Sequence, residues 1–194
     1  KLRNQGVMMG KLTTEGMATG PLMDTGLGAN YGEKDFVGGV TTEDTYTWAS
    51  GPQKLHSRRL GERRIVVMDF GVKYNILRIL KSRGYQPIVV PATMSADEVL
   101  SFTPEAVLLS PGPGDPALLD YLVVAVKSLI GRLPIMGICL GHQVLAKALG
   151  GKTYKLKFGH RGSNHPVRDV DTGLVHITAQ NHGYAVDPDS LPRE

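Results

Sequence analysis

Apolar and polar positions change texture near the first third of this 194-residue chain. From Arg63 onward, short apolar runs of strand length alternate with stretches in which apolar residues recur every three or four positions. Arg64-Ile-Val-Val-Met-Asp-Phe70 reads as a strand, and Lys73–Arg83 as an amphipathic helix closed by Gly84. Tyr85–Pro91 reads as a second strand, followed by a short helix around Ser95–Phe102 with Ser95 as its N-cap. Glu105–Ser110 is a third strand and Ala117–Ile130 a further helix. Leu133-Pro-Ile-Met-Gly-Ile138, an apolar run bounded by proline, is expected to be a buried strand. The helix after it places Val144, Leu145, Ala148 and Leu149 at helical spacing and stops at Gly150-Gly151. Lys152–Lys157 and Leu174–Thr178 complete the strands. Strands alternating with helices imply an α/β fold with a mostly parallel sheet covered by helices on both faces.

Residues 1–61 differ: rich in Gly, Thr and Asp, with only short apolar pieces such as Val7-Met-Met9. Too little apolar surface is present there to offset the ordering entropy of a compact domain. The segment Lys1-Leu-Arg-Asn-Gln-Gly6 resembles the last turn of a helix with its glycine cap. Residues 1–61 are therefore expected to be a remnant plus linker, and 62–194 the main domain.

Hydrophobic residues make up 41% and charged residues 21%, which places the chain among ordinary globular proteins. The net charge of +4 is mild, and the basic clusters are not interleaved with aromatic residues, which argues against nucleic acid as a partner. No apolar run approaches the roughly 20 residues that span a bilayer, and no signal-peptide pattern opens the chain. A single cysteine excludes an internal disulfide framework and suits a reducing compartment. A cytoplasmic protein with no membrane partner is expected.

That cysteine, Cys139, sits in Gly137-Ile-Cys-Leu-Gly-His-Gln143, where a strand turns into a helix. Glycines two residues before and after it give the spacing of a nucleophile elbow. A helix N-terminus is expected to favour its thiolate. A buried structural cysteine is the plainer reading, and the elbow spacing weighs against it. Pro111-Gly-Pro-Gly-Asp-Pro116 lies at another strand end, and Gly112 and Gly114 let backbone N–H groups face a ligand; an ordinary Pro/Gly turn fits equally well. Asp69-Phe-Gly, Ser110-Pro-Gly and Cys139 all fall at carboxyl ends of strands, where ligands collect in such sheets. Among the histidines, His142 is expected on the helix flank, and His56 and His176 in surface or structural roles. His160, His165 and His182 sit in polar segments and read as hydrogen-bonded loop residues.

Four segments together resemble the class I glutamine amidotransferases: 110–116, 137–143, Lys157-Phe-Gly-His-Arg-Gly-Ser-Asn-His-Pro-Val167 and Ala179-Gln-Asn-His-Gly-Tyr-Ala-Val186. The last two, with Asp69–Arg78, are similar more narrowly to the glutamine-hydrolysing small subunit of carbamoyl-phosphate synthase. The resemblance implies that Cys139 forms a glutamyl thioester and releases ammonia. It implies L-glutamine contacts at Gly112, Gly114, Leu140, Gln143, Asn181, Gly183 and Tyr184, with the Gly112 and Leu140 amides as oxyanion donors. It also implies a partner, the large synthetase subunit of carbamoyl-phosphate synthase, with ATP and Mg bound there and no metal or other cofactor in this chain.

Two departures accompany the resemblance. The family's smaller N-terminal domain is not matched, and its catalytic His-Pro-x-Glu segment does not occur among the 55 residues after Cys139. His165-Pro166 continues as Val-Arg. The chain is therefore expected to be a fragment truncated at both ends. Two alternatives stand beside the glutaminase: a catalytically silent glutamine- or partner-binding module, and a different elbow cysteine enzyme such as a peptidase.

Overall fold

The computed structural model describes residues 31–56 and 61–192, together with Thr14. The Lys1–Gly6 helix end, and most of the segment read as an N-terminal remnant, lie outside the described residues. Two compact units emerge, one of Gly32–Thr153 with Val186–Glu194, the other holding Tyr154–Ala185.

The larger unit is built on a six-stranded sheet in the order β2-β1-β4-β3-β5-β6. Its strands are β1 (Tyr46–Trp48), β2 (Pro52–Lys54), β3 (Arg63–Asp69), β4 (Tyr85–Pro91), β5 (Ala106–Leu109) and β6 (Ile135–Gly137). β4, β3, β5 and β6 pair in parallel, and β1 joins β4 antiparallel. Residues of the Gly-rich first third thus supply two strands, and Val37 and Trp48 are fully buried.

Alternation along the strands sorts the core into two layers. Val66, Met68, Ile88, Val90, Val107 and Leu109 face the side covered by α2 (Ala96–Ser101), α3 (Asp120–Leu129) and α4 (Leu140–Ala148). Ile65, Val67, Val89 and Leu108 face Trp48 and α1 (Tyr74–Ser82), which inserts Leu77. Helices therefore cover both faces, as the α/β pattern requires. α2 opens with the expected Ser95 cap: the Ser95 hydroxyl accepts from the Glu98 amide, and the Glu98 carboxylate accepts from the Ser95 amide at 2.9 Å.

Three elements depart from the sequence reading. The helix expected over Ala117–Ile130 is a 3-10 turn at Pro116–Leu118 followed by α3. The Asp115 side chain accepts from the Ala117 amide at 2.8 Å, and Leu119, at φ −111°, leaves helical geometry and breaks the run. β6 is an edge strand of the described sheet rather than a buried one, with Met136 60% exposed. The third departure lies mostly in the second unit. β7 (Lys152–Arg168) and β8 (Val175–Asp187) run far beyond the two short strands expected and pair as a two-stranded sheet. Their connection, 169–174, is too short for a parallel crossover. The Asp169 carboxylate caps the turn by accepting from the Asp171 and Thr172 amides, and Gly173 takes φ +72°. Gly, Pro and polar residues through 159–166 mimic a loop, whereas cross-strand pairing keeps the backbone extended there. His160, His165 and His182 are consequently strand residues, not loop residues.

Candidate active site

β3 sends its chain to β4 on one side, and the chain then crosses to β5 on the other. The carboxyl ends of β3 and β5 therefore flank a topological switch point, the usual place for a ligand in an open α/β sheet. Three loops leave from this edge, after Asp69, Leu109 and Gly137.

Cys139 is the N-cap of α4, half-buried, with φ +53° and ψ −109°. Only Cys139 and Thr103 among described non-glycine residues take positive φ. A strained, non-left-handed backbone at a side chain with nucleophilic chemistry matches a nucleophile elbow. Its glycines are required by contact, not by φ. A Cβ on Gly137 would lie 2.5 Å from the Gly141 carbonyl carbon and oxygen. A Cβ on Gly141 would lie 2.2 Å from the Leu109 oxygen. The strand and helix thus touch through bare backbone, and the Ile138 amide donates to the Leu109 carbonyl at 3.0 Å across the same junction.

The thiol does not behave as a helix N-terminus alone would suggest. Burial pushes the Cys139 thiol above its ordinary range, and two smaller influences oppose it: the Leu140 amide donating to the sulfur, and the Lys73 ammonium. The expectation of a thiolate favoured by the helix end is corrected on this point, because desolvation outweighs the Leu140 amide and the Lys73 cation together.

The neighbouring loops are locked by two polar side chains to which sequence reasoning assigns no role. Ser110, fully buried, accepts from the Phe70 amide at 2.9 Å and donates to the Pro111 carbonyl at 2.9 Å. One hydroxyl so ties the β3 loop to the β5 loop. The Asp69 carboxylate accepts from the amides of Gly71 (2.9 Å), Val72 (2.7 Å) and Thr42 (3.0 Å). That fixes the turn leading to Lys73, the N-cap of α1. Sequence marks both as short polar residues at strand ends within the segments that carry the family resemblance, but not the bonds that they make.

Gly112 is wedged here: its Cβ would meet the Phe70 oxygen at 2.2 Å and Leu140 Cδ2 at 2.8 Å. The loop backbone therefore packs against the residue that follows Cys139. Gly114, at φ +99°, allows the loop to turn beside Phe36. Leu140 and Gln143 are buried on α4, and His142 is exposed on its flank, as its spacing suggests. An open hollow of about 810 Å³ lies nearby, lined by Tyr46, Asp69, Gly71, Arg78 and Pro113 among others. Cys139 is not part of its lining, so the strained elbow rather than the hollow marks the reactive point.

Asn181, Gly183 and Tyr184 lie on β8 in the second unit. There the His182 ring approaches the Tyr184 carbonyl (Nδ1, 2.8 Å), the Gln180 side-chain oxygen (Nε2, 3.0 Å) and His160 Nδ1 (3.1 Å). Among the described residues no cluster of three or more His, Cys, Asp or Glu side chains could hold a metal.

Comparison with known proteins decides the family. Residues 66–194 match Glutamine amidotransferase class-I. The chain belongs to the class-I glutamine amidotransferase family.

Within curated proteins, this amidotransferase chain is 45% identical over 197 residues to "Carbamoyl phosphate synthase small chain, chloroplastic" of Oryza sativa subsp. japonica, covering 99% of this chain and 44% of that protein. It is 47% identical to the carbamoyl phosphate synthase small chain of Akkermansia muciniphila, over 98% of this chain and 52% of that one. The Salmonella typhimurium small chain is 51% identical over 167 residues, 81% of this chain and 44% of that one. The chain spans about half the length of the curated relatives it matches. In fold it is similar to a GMP synthase-type protein of Thermoplasma acidophilum, with TM-score 0.55, 24% identity, and coverage of 69% and 70% of the two chains. No helix among the described residues is long and apolar enough to cross a membrane.

Proposed function

We propose that this amidotransferase chain supplies the glutamine-hydrolysing function of a carbamoyl-phosphate synthase. The single observation that carries the proposal is Cys139 on a strained strand-to-helix elbow beside the Ser110–Gly114 loop. The 44–51% identical small chains support this narrower reading.

In the proposed reaction, Cys139 Sγ attacks the side-chain amide carbon of L-glutamine. The S–C bond forms, the C–N bond breaks, and the thiol proton departs with the nitrogen as ammonia. Water then cleaves the glutamyl thioester to glutamate and regenerates the thiol. The Leu140 amide, which donates to the sulfur at rest, and the Gly112 amide, whose loop packs against Leu140, are proposed as the oxyanion donors. Raising the thiol by burial keeps it neutral until a proton acceptor is present, and the Lys73 cation favours the thiolate that attacks. Gly114, Gln143, Asn181, Gly183 and Tyr184 are proposed to hold the substrate.

The ammonia is proposed to pass to a large synthetase subunit that binds ATP and Mg and forms carbamoyl phosphate, in the cytoplasm. Because the sequence contains no His-Pro-x-Glu, the 194-residue polypeptide is proposed to acylate but to turn over slowly. The test is steady-state ammonia release from glutamine by this chain beside a version extended with a relative's segment containing that motif. Faster release from the longer chain supports the proposal, and loss of release in Cys139→Ser of that version assigns the chemistry. Equal turnover from both chains contradicts the division of labour.

A further inference from the structure

We propose that Phe36 is a positioning residue for the reaction at Cys139: its side chain holds the Gly112–Gly114 loop, and so keeps the Gly112 amide at the elbow. The inference deepens the glutaminase reading and rests on it, and every group it uses belongs to the larger unit.

The loop depends on outside support. Pro111 and Pro113 carry no amide proton, and Gly112 and Gly114 carry no side chain to pack. Glycine also loses more backbone freedom on ordering than any other residue. Among the described residues, neither the Gly112 nor the Gly114 amide donates to a backbone carbonyl. The Ser110 hydroxyl fixes the start of the loop, and the Asp115 carboxylate caps the turn at its end. Between those two points the loop is held by packing. A Cβ on Gly71 would lie 3.2 Å from Gly112 Cα and 3.3 Å from Pro113 Cδ, so the β3 loop closes on that part. Gly112 itself is wedged against the Phe70 carbonyl and Leu140. At Gly114 the neighbour is Phe36. The three atoms nearest to a Cβ placed there are Phe36 Cδ2 at 3.5 Å, Phe36 Cβ at 3.8 Å and the Phe36 amide nitrogen at 3.9 Å.

Phe36 can bear on the loop because its own segment is fixed on both sides. The Asp35 carboxylate accepts from the Val37 and Gly38 amides at 2.8 and 3.2 Å, and from the Tyr121 hydroxyl of α3 at 3.0 Å. Val37 is fully buried in the core on that face of the sheet. The Gly39 amide donates to the Phe36 carbonyl at 3.2 Å and closes the turn. Beyond it, the Thr41 hydroxyl accepts from the Ala92 amide at 2.8 Å, just past β4, and the Thr42 amide donates to Asp69 at the end of β3. Residues 35–42 thus cross the carboxyl ends of β4 and β3 and set Phe36 against the loop that leaves β5. An amide that stabilises a developing oxyanion must be in place before the charge forms, so a loosened loop slows acylation without altering the thiol.

The experiment compares the wild-type chain with Phe36→Ala and Phe36→Leu. Thioester formation on Cys139 at saturating L-glutamine is followed by acid quench and mass spectrometry. Alkylation of Cys139 by iodoacetamide, which develops no oxyanion, is followed on the same proteins. Backbone ¹⁵N relaxation reports the order of the Gly112 and Gly114 amides. In Phe36→Ala, acylation falls about ten- to a hundredfold, the scale of a misplaced rather than a deleted catalytic group. Its alkylation rate stays that of the wild type. The order parameters of both glycines drop from the rigid value of about 0.85 to below about 0.6. Phe36→Leu, which keeps an apolar side chain over Gly114, recovers most of the acylation rate and the order. Unchanged acylation or unchanged order in Phe36→Ala overturns the positioning role, as does an equal loss of acylation and alkylation, which would make Phe36 a support of the whole elbow. Disordered glycines in Phe36→Ala beside a wild type that forms no thioester contradict the glutaminase reading instead, and with it any role of Phe36 in that reaction.

Discussion

Gly141 faces the Leu109 carbonyl so closely that a methyl group on its Cα would sit 2.2 Å from that oxygen. The first turn of α4 therefore lies directly on the end of β5, and the elbow exists because two backbones touch there. Gly141→Ala must separate them. Overpacking a core typically costs about 1–3 kcal/mol, and a clash against backbone belongs at or above the top of that range. Gly51→Ala, with nothing within 4 Å of the added carbon, is the control and should shift stability by only a few tenths. Urea denaturation of both variants checks this. Equal stability would mean the elbow is looser than the contact indicates.

Ser110→Ala removes the hydroxyl that joins the β3 and β5 loops and leaves the Phe70 amide without that acceptor. A buried donor left unsatisfied costs about 1–3 kcal/mol. Chemical denaturation should register that loss, and glutamine affinity should fall with it as the Gly112 loop is released. A variant with unchanged stability and affinity would show that the hydroxyl is not what joins the loops.

Alkylation of Cys139 should follow a pH profile displaced above that of a free cysteine, about 8.5, because only the thiolate reacts and burial favours the thiol. Lys73→Met removes an opposing cation and should displace the profile further upward. The same shift sets the sign of the stability effect. The neutral buried thiol contributes stability in full below the ordinary thiol range, and that contribution is lost as pH climbs through the raised value. A profile below that of free cysteine, or one unmoved by Lys73→Met, contradicts this electrostatic arrangement.

The strands that lie inside the sheet were legible from sequence because they bury both faces: Arg64–Phe70 and Tyr85–Pro91 match β3 and β4 within a residue. α1 and α2 were legible from helical spacing and from the Ser95 cap. The β7–β8 sheet was not. It carries Gly159, Gly162 and Pro166 within a strand and exposes polar residues on both sides, so neither periodicity nor composition marks it. At the site, Cys139 and its glycines stand out by spacing alone. Ser110 and Asp69 act through distant backbone amides, Thr42 to Asp69 being 27 residues apart, and no local pattern announces such bonds. The direction of the Cys139 shift also needed the structure, since helix position is visible in sequence and burial at an elbow is not.

Cys139 is proposed above all as a nucleophile served by a glutamine site. The most direct measurement is mass-spectrometric mapping of the chain after reaction with a glutamine chloroketone, with and without competing L-glutamine. A cysteine in such a site gives one adduct, on Cys139, whose formation is slowed by glutamine and not by asparagine, and Cys139→Ala gives none. Absence of the adduct, or an adduct formed at the same rate whatever the glutamine concentration, would contradict it.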